Sequence, residues 1–245
     1  MASQVNHFKE FATVAEYESY IQPDDYAKPL VALVDETDTV MFPQGGGGGG
    51  DCGNPIMKSV DVEDYSGGTT FNGLAQITDV EFPAGITSIG QTAFYNCYAL
   101  TSVSIPSGVT SIGNNAFYNC TGLTSIGIPS TVNSIGNAAF RNCTSLTSFV
   151  IPSGLTVISS EMLRDTAITS IAIPSGVTSI GNAAFRDCTS LTRVTVNATT
   201  PPTLAANVFT NTSANLVIYV PSASVETYKT TSGWSTYATQ IQAIP

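Results

Sequence analysis

Side chains able to do chemistry are sparse in this chain of 245 residues, and most of them recur at one interval. The single histidine, His7, lies near the N-terminus, and no Ser–His–Asp or Cys–His set can be assembled around it from neighbouring sequence. Four of the five cysteines, Cys97, Cys120, Cys143 and Cys188, occupy equivalent places, with Thr166 near the gap in the series and Cys52 standing apart. Equivalent residues of stacked strands lie ~4.8 Å apart and point the same way. The four are therefore expected as a buried column of reduced thiols, unfavourably directed for disulfides and too linear to surround a tetrahedral zinc ion. Beyond Glu81 the acids of the repeated region are Glu161, Asp165 and Asp187, and they form no glycosidase-like pair. Six consecutive glycines, Gly45 to Gly50, match a glycine-rich nucleotide loop only trivially, because no Lys-Ser/Thr follows them and no strand–loop–helix unit frames them. These observations predict no catalysis, no metal and no cofactor.

One arrangement has recognition chemistry. Tyr95, Tyr118, Arg141, Arg164 and Arg186 follow one another at intervals of 23 residues, with one of 22, flanked by Asn96, Asn119, Asn142, Asp165 and Asp187. They are expected to form one exposed row, in which two tyrosines can stack on a sugar and three arginines can grip an anion through paired hydrogen bonds. The competing reading is that the tyrosines seal an edge and each arginine is solvated beside a neutralising aspartate. A second candidate surface, the strand face, presents Asp79, Ser102, Ser125, Ser148, Ser170 and Arg193, then Glu81, Ser104, Gly127, Val150, Ala172 and Thr195. These are small groups, unlike the Trp, Tyr and Arg of a hot-spot-rich groove.

The elements that must position these residues are copies of one sentence: ITSIGQTAFYNCYALTSVSIP, VTSIGNNAFYNCTGLTSIGIP, VNSIGNAAFRNCTSLTSFVIP, LTVISSEMLRDTAITSIAIP and VTSIGNAAFRDCTSLTRVTV. A period near 23 residues marks a stacked solenoid, whose units bury their apolar sides only against each other. Leu100, Val103 and Ile105 begin the core series, repeated at Leu123, Ile126, Ile128, at Leu146, Phe149, Ile151, at Ile168, Ile171, Ile173 and at Leu191, Val194, Val196. Their L-x-x-L-x-L spacing is a strand with alternating burial. A second apolar pair follows, as in Val109/Ile112, then an aromatic plug at Phe94, Phe117, Phe140 or Phe185, replaced by Leu163 in the short repeat. Pro106, Pro129, Pro152 and Pro174 end the strands because proline cannot donate to a ladder.

The unit L-T-S-h-x-I-P-x-x-V-T-S-I-G-x-x-A-F-x-N-C resembles the BspA-like, treponemal-type leucine-rich repeat of surface proteins from Bacteroides-group bacteria, spirochaetes and some protists. The resemblance runs from about Ile77 to the C-terminus, since PPTLAANVF, LVIYVP and VETYKTTSGW look like the family's closing segment. It implies a leucine-rich-repeat fold and a role in adhesion or protein binding, and it supplies no catalytic residues. The opening of the chain loosely resembles N-terminal segments of proteins from gut Bacteroidales and their phages.

The predicted fold is thus a β-rich leucine-rich-repeat solenoid of about five to six coils, with a small α+β unit before it and a cap behind. Residues 1–44 form the α+β unit, with a capping box at Thr13 to Glu16 opening a helix to Tyr20 and a hairpin from Leu30–Val34 and Thr39–Phe42. Residues 45–51 are a polyglycine linker or a packed extended backbone. Residues 52–221 hold the solenoid and its N-terminal cover, with Tyr65 and Phe71, and residues 222–245 a cap in which Ser222 starts a short helix and Trp234 lies over the last coil. The net charge of −10 is concentrated in residues 1–65, where twelve acids face three lysines. Nucleic acid, which needs a basic face, is excluded as a partner. No apolar run resembles a secretory signal or a membrane span.

The expected function is non-catalytic interaction or adhesion. The solenoid is displayed on a particle such as a phage virion appendage, contacts protein or surface glycan of a host cell, and is assembled or oligomerised through residues 1–44. The expected location is a virion or extracellular surface, with the cytoplasm as alternative. A bacterial cell-surface adhesin and a hydrolase on a repeat scaffold are the other two readings.

Overall fold

A computed structural model of the chain describes residues 78–82 and 85–245, with three short strands upstream of them. It divides into two compact units, Met1–Ile56 and Met57–Pro245. In the first, β1 (Leu33–Val34) and β2 (Val40–Met41) pair antiparallel, with Leu33 opposite Met41, inside the two runs predicted to form a hairpin. The predicted helix to Tyr20, the glycine run, Cys52, Tyr65 and Phe71 lie outside the described residues.

The second unit winds as a parallel β-solenoid of about seven turns, more than the repeat alignment counts because the outermost turns have lost the consensus. Its strands are β3 (Ser59–Asp61), β4 (Asp79–Glu81), β5 (Ser88–Ile89), β6 (Ser102–Ser104), β7 (Ser111–Ile112), β8 (Ser125–Gly127), β9 (Ser134–Ile135), β10 (Val157–Ile158), β11 (Ser170–Ile173), β12 (Ser179–Ile180), β13 (Arg193–Val196), β14 (Thr203–Leu204), β15 (Val217–Val220) and β16 (Ile241–Ala243). The longer strands make the main face, in the ladders β3–β4, β6–β8 and β11–β13–β15–β16. The two-residue strands make a second face, in the ladders β5–β7–β9 and β10–β12–β14. Every pairing in this unit is parallel and in repeat register, Ser102 opposite Ser125 and Ile89 opposite Ile112. Between the faces the chain turns at proline: the carbonyls of Pro106, Pro129, Pro152 and Pro174 accept from the N–H three residues on, at 3.0–3.1 Å.

The predicted core columns are buried, with one correction. Ile126 and Ile128 are only half-buried, although their equivalents Val103, Ile105, Phe149, Ile151, Ile171 and Ile173 are all within 6% exposure. The plugs are sealed and stack ring on ring, Phe94 on Phe117 at 5.0 Å and Phe117 on Phe140 at 5.4 Å. Leu163 interrupts that stack, which resumes with Phe185 on Phe209 at 5.7 Å. At the C-terminal end α1 (Val225–Thr230) and Trp234 close the coil. Trp234 donates its indole N–H to the Pro202 carbonyl at 2.7 Å, and the Tyr228 hydroxyl donates to Ala198 O at 2.8 Å, so both rings are buried with their polar atoms satisfied. Ser222 does not cap this helix as predicted: residues 222–224 form a short 3-10 turn, and the N-cap is the buried Ser224, whose side chain makes no capping bond.

The candidate recognition row and its ionic network

The third side of the solenoid carries the plugs, and its backbone explains why the row residues sit where they do. Each turn places two residues at positive φ. The second is always Asn or Asp, namely Asn96, Asn119, Asn142, Asp165, Asp187 and Asn211, at φ between 57° and 62°. These residue types tolerate the left-handed region best after glycine, so the asparagine of the repeated N-C step has a backbone role. The first positive-φ place holds Thr92, Asn115, Ala138, Glu161, Ala183 and Asn207. Between the two, alternate N–H groups reach forward to the next turn: Thr92 to Asn114 O, Phe94 to Ala116 O and Asn96 to Tyr118 O. The same three bonds recur at every step as far as Asp187 N to Thr210 O, all between 2.7 and 3.1 Å. The row residue between the plug and the Asn is thereby held one turn above its equivalent.

Tyr95 and Tyr118 stack with centroids 4.8 Å apart and planes 4° from parallel. The Arg141 guanidinium lies 5.5 Å from the centre of the Tyr118 ring, which places a cation against the aromatic pair. All five row residues are half-buried, not fully exposed as the sequence predicts. Because the two tyrosines face each other, they offer a partner ring edges and hydroxyls more than open faces.

The arginines are already engaged. Arg141 pairs with Glu161, which also meets Arg164 Nη1 at 3.4 Å. Arg164 Nε lies 3.2 Å from Asp187 and 3.3 Å from Asp165, and Arg186 Nε lies 3.3 Å from Asp187. Three guanidinium groups and three carboxylates thus form one strip across successive turns. Arg186 is the most available of the three at 36% side-chain exposure, against 20% for Arg164. The Asp187 carboxyl is held below its ordinary value first by the hydrogen bond from Asn211 Nδ2 at 2.8 Å, then by Arg186 and Arg164, against a partial opposing effect of desolvation. Sequence reasoning missed Glu161 and Asn211 as members of this strip. The signal for Glu161 was an acid at a repeat place otherwise held by Thr, Asn or Ala.

The thiol column matches the sequence prediction. Cys97, Cys120, Cys143 and Cys188 are buried, and no disulfide joins them. Cys120, Cys143 and Cys188 donate to the main-chain carbonyls of Phe94, Phe117 and Leu163 one turn back, at 3.0–3.2 Å. Thr166 holds the vacant cysteine place, its hydroxyl bonded to Leu163 O at 2.9 Å and 3.3 Å from Cys188 Sγ. Burial raises the Cys120 and Cys188 thiols and pushes Cys143 up to about 12, so at neutral pH these are inert hydrogen-bond donors. Among the described residues no group of three or more His, Cys, Asp or Glu side chains is arranged to hold a metal, and no helix is long and apolar enough to cross a membrane. On the main face Ser102, Ser125, Ser148 and Ser170 are exposed, and Arg193 lies over the Tyr219 ring at 4.1 Å, a diagonal pair that sequence reasoning also missed.

Parallel ladders in register, an L-x-x-L-x-L main face and a buried plug side define a leucine-rich-repeat solenoid. The model of the BspA type leucine rich repeat region matches in six copies over residues 66–192 and 156–232, and the chain belongs to that family. Among solved structures it is similar to the leucine-rich repeat protein of T. pallidum, at 33% identity and a TM-score of 0.53 over 58% of this chain and 68% of that one. A leucine-rich repeat protein from Bacteroides ovatus matches at 30% identity and a TM-score of 0.47, over 55% of this chain and 43% of the other. A leucine rich cell surface protein from Faecalibacterium prausnitzii matches at 33% identity and 0.42, over 51% and 40%. The chain thus spans less than half the length of the last two. No curated protein matches it.

Proposed function

We propose that this protein is a non-catalytic adhesion module whose solenoid contacts a host-cell protein or surface glycan through the row Tyr95, Tyr118, Arg141, Arg164 and Arg186. The observation that carries this reading is the alignment of large aromatic and charged groups, one per turn, along a backbone ladder that holds them in fixed register. The strip balances three guanidinium groups with three carboxylates, so its partner is a polar surface of low net charge and not a polyanion. Tyrosine edges and hydroxyls together with partly exposed, carboxylate-paired guanidinium groups suit the hydroxyl groups of a glycan or the polar rim of a protein. Display on a particle such as a phage virion appendage, through residues 1–44, is the carrier we favour, on the strength of the acidic N-terminal segment and the glycine run that follows it. Display on a bacterial cell surface is the alternative.

Replacing Arg141, Arg164 and Arg186 together by alanine tests the site. Binding of the purified protein to bacterial cells or envelope glycans is expected to fall at least tenfold with the far-UV spectrum unchanged, because partly exposed ion pairs contribute at most about 1 kcal/mol each to stability. Replacing Ser102, Ser125 and Ser148 is expected to do little. The reverse pattern moves the site to the main face, and no loss from either triple variant removes the solenoid surface as the contact. Antibody against the solenoid, applied to intact virions and to intact cells, distinguishes the two carriers.

A further inference from the structure

One coil departs from the rest of the stack on both strand faces at once. Elsewhere each step between turns carries main-chain bonds on the second face, Gly113 N to Ile89 O and Gly136 N to Ile112 O at 2.8 Å, and Gly181 N to Ile158 O at 2.7 Å. Between β9 and β10 the corresponding bond is missing, and the Ser159 hydroxyl donates to Ile135 O in its place. On the main face, residues 148–151 make no main-chain hydrogen bond to the turn on either side, and β8 and β11 belong to different ladders. The half-buried Ile126 and Ile128 line this step, whereas Val103, Ile105, Phe149, Ile151, Ile171 and Ile173 are buried, so solvent reaches core-facing side chains there.

Two residues of this coil act as wedges. A Cβ on Gly113, Gly136 or Gly181 would come within 2.5 Å of a main-chain nitrogen in the preceding turn, so glycine is what lets successive turns close up. Ser159 occupies that place with a side chain. Ala205 does so as well and keeps its bond to Ile180 O at 3.0 Å, but its strand follows the previous one after 24 residues, not 22 or 23. On the main face Phe149 fills a place held elsewhere by Val or Ile, with its ring tilted against Phe140 at 5.0 Å. The plug side of the same step is intact: Ala138, Phe140 and Asn142 donate to Ser160, Met162 and Arg164 at 2.9–3.0 Å, and Arg141 pairs with Glu161 across it.

We propose that this step is a hinge built into the solenoid: the turns before it and after it swing apart on the two strand faces about a closed plug-side ladder, exposing Ile126 and Ile128 when open. A one-dimensional stack is only as stiff as its weakest interface, and here two of three sides carry no ladder.

Amide hydrogen exchange on the full chain tests this. The amides of Ser148 to Ile151 and of Ser159 are expected to exchange at least about a hundredfold faster than those of Ser102 to Ile105 and Gly113, while Ala138, Phe140 and Asn142 stay as slow as Asn115, Phe117 and Asn119. Exchange at Ser148 to Ile151 as slow as at Ser102 to Ile105 overturns the hinge. Fast exchange at Ala138, Phe140 and Asn142 overturns it too, since the step would then be a boundary of unfolding. The double variant Phe149→Ile with Ser159→Gly removes both wedges and is expected to slow the fast amides at least tenfold. If they stay fast in the folded double variant, the wedges are not the cause and the proposal fails.

Discussion

From Thr92 to Thr210 the plug side carries three main-chain hydrogen bonds across each step between turns, and it keeps them through the repeat in which Phe gives way to Leu163 and Cys to Thr166. The main face is interrupted between β4 and β6 and again at that same repeat, where the second face is interrupted as well and where one Ser replaces a Gly and one Phe replaces a Val or Ile. The difference lies in what each side asks of its residues. On the plug side the bonds come from a backbone fixed by alternating left-handed residues, so a side chain that fills the volume is enough. On the strand faces a Cβ at the glycine place meets main chain of the preceding turn, and the turns close there without one, or, as at Ala205, with an extra residue in the coil.

The largest expected effect probes the side that tolerates change. Phe117 is fully buried between Phe94 and Phe140 with ring planes within 8° of parallel, so Phe117→Ala leaves a cavity and two rings without a partner. It is expected to cost about 3–5 kcal/mol in a denaturant melt, whereas Phe117→Leu copies the natural Leu163 and is expected to cost well under half of that. Equal losses from the two would mean that ring stacking, and not filled volume, holds the plug side together.

A smaller effect probes the side that does not. The Cβ of Gly136→Ala would stand 2.5 Å from Asn114 N and 2.7 Å from the Gly113 carbonyl carbon, and main chain cannot swing aside as a long side chain does. The expected loss is about 1–3 kcal/mol, with the Gly136 N–H to Ile112 O bond opened as it is at Ser159. Thermal melts showing no loss would break the contrast, since the strand faces would then accept a Cβ as readily as the plug side accepts Leu163.

Much of this was legible in the sequence because a repeat reports its own register. The L-x-x-L-x-L columns, the Phe plugs, the prolines and the thiol column were all placed by alignment of the five copies, since periodic burial leaves periodic residues. What escaped was whatever depends on contact between unlike positions of neighbouring turns. Glu161 reaches Arg141 across 20 residues, and Arg193 meets Tyr219 on the diagonal. Neither pair lies in one column. The break in the strand faces was equally hidden, because replacing glycine by serine looks conservative until the 2.5 Å approach is known. The exposure of the recognition row was overestimated for a related reason: arginines read singly look solvated, whereas carboxylates of the next turn pair with Arg141 and Arg164, and the neighbouring Asp187 pairs with Arg186.

The smallest expected effect belongs to the strip itself and carries a sign. Asp187 is held below its ordinary value of 3.8, most of all by Asn211 and then by Arg186 and Arg164. A carboxyl whose folded value is depressed binds fewer protons folded than unfolded, so its contribution is present above the unfolded value and is lost as pH falls through the folded one. Wild type and Asp187→Asn should therefore differ at neutral pH and converge in acid, once the pH has fallen through the lowered folded value. Since the strip is partly exposed and screened, the difference is expected to stay under about 1 kcal/mol and to shrink with added salt. Asn211→Ala should reproduce most of it, because it removes the leading cause while leaving both arginines in place. A gap between wild type and Asp187→Asn that persists unchanged as the pH is lowered through the acid range would show that the substitution acts through packing, and the strip would then hold the turns together by shape and not by charge.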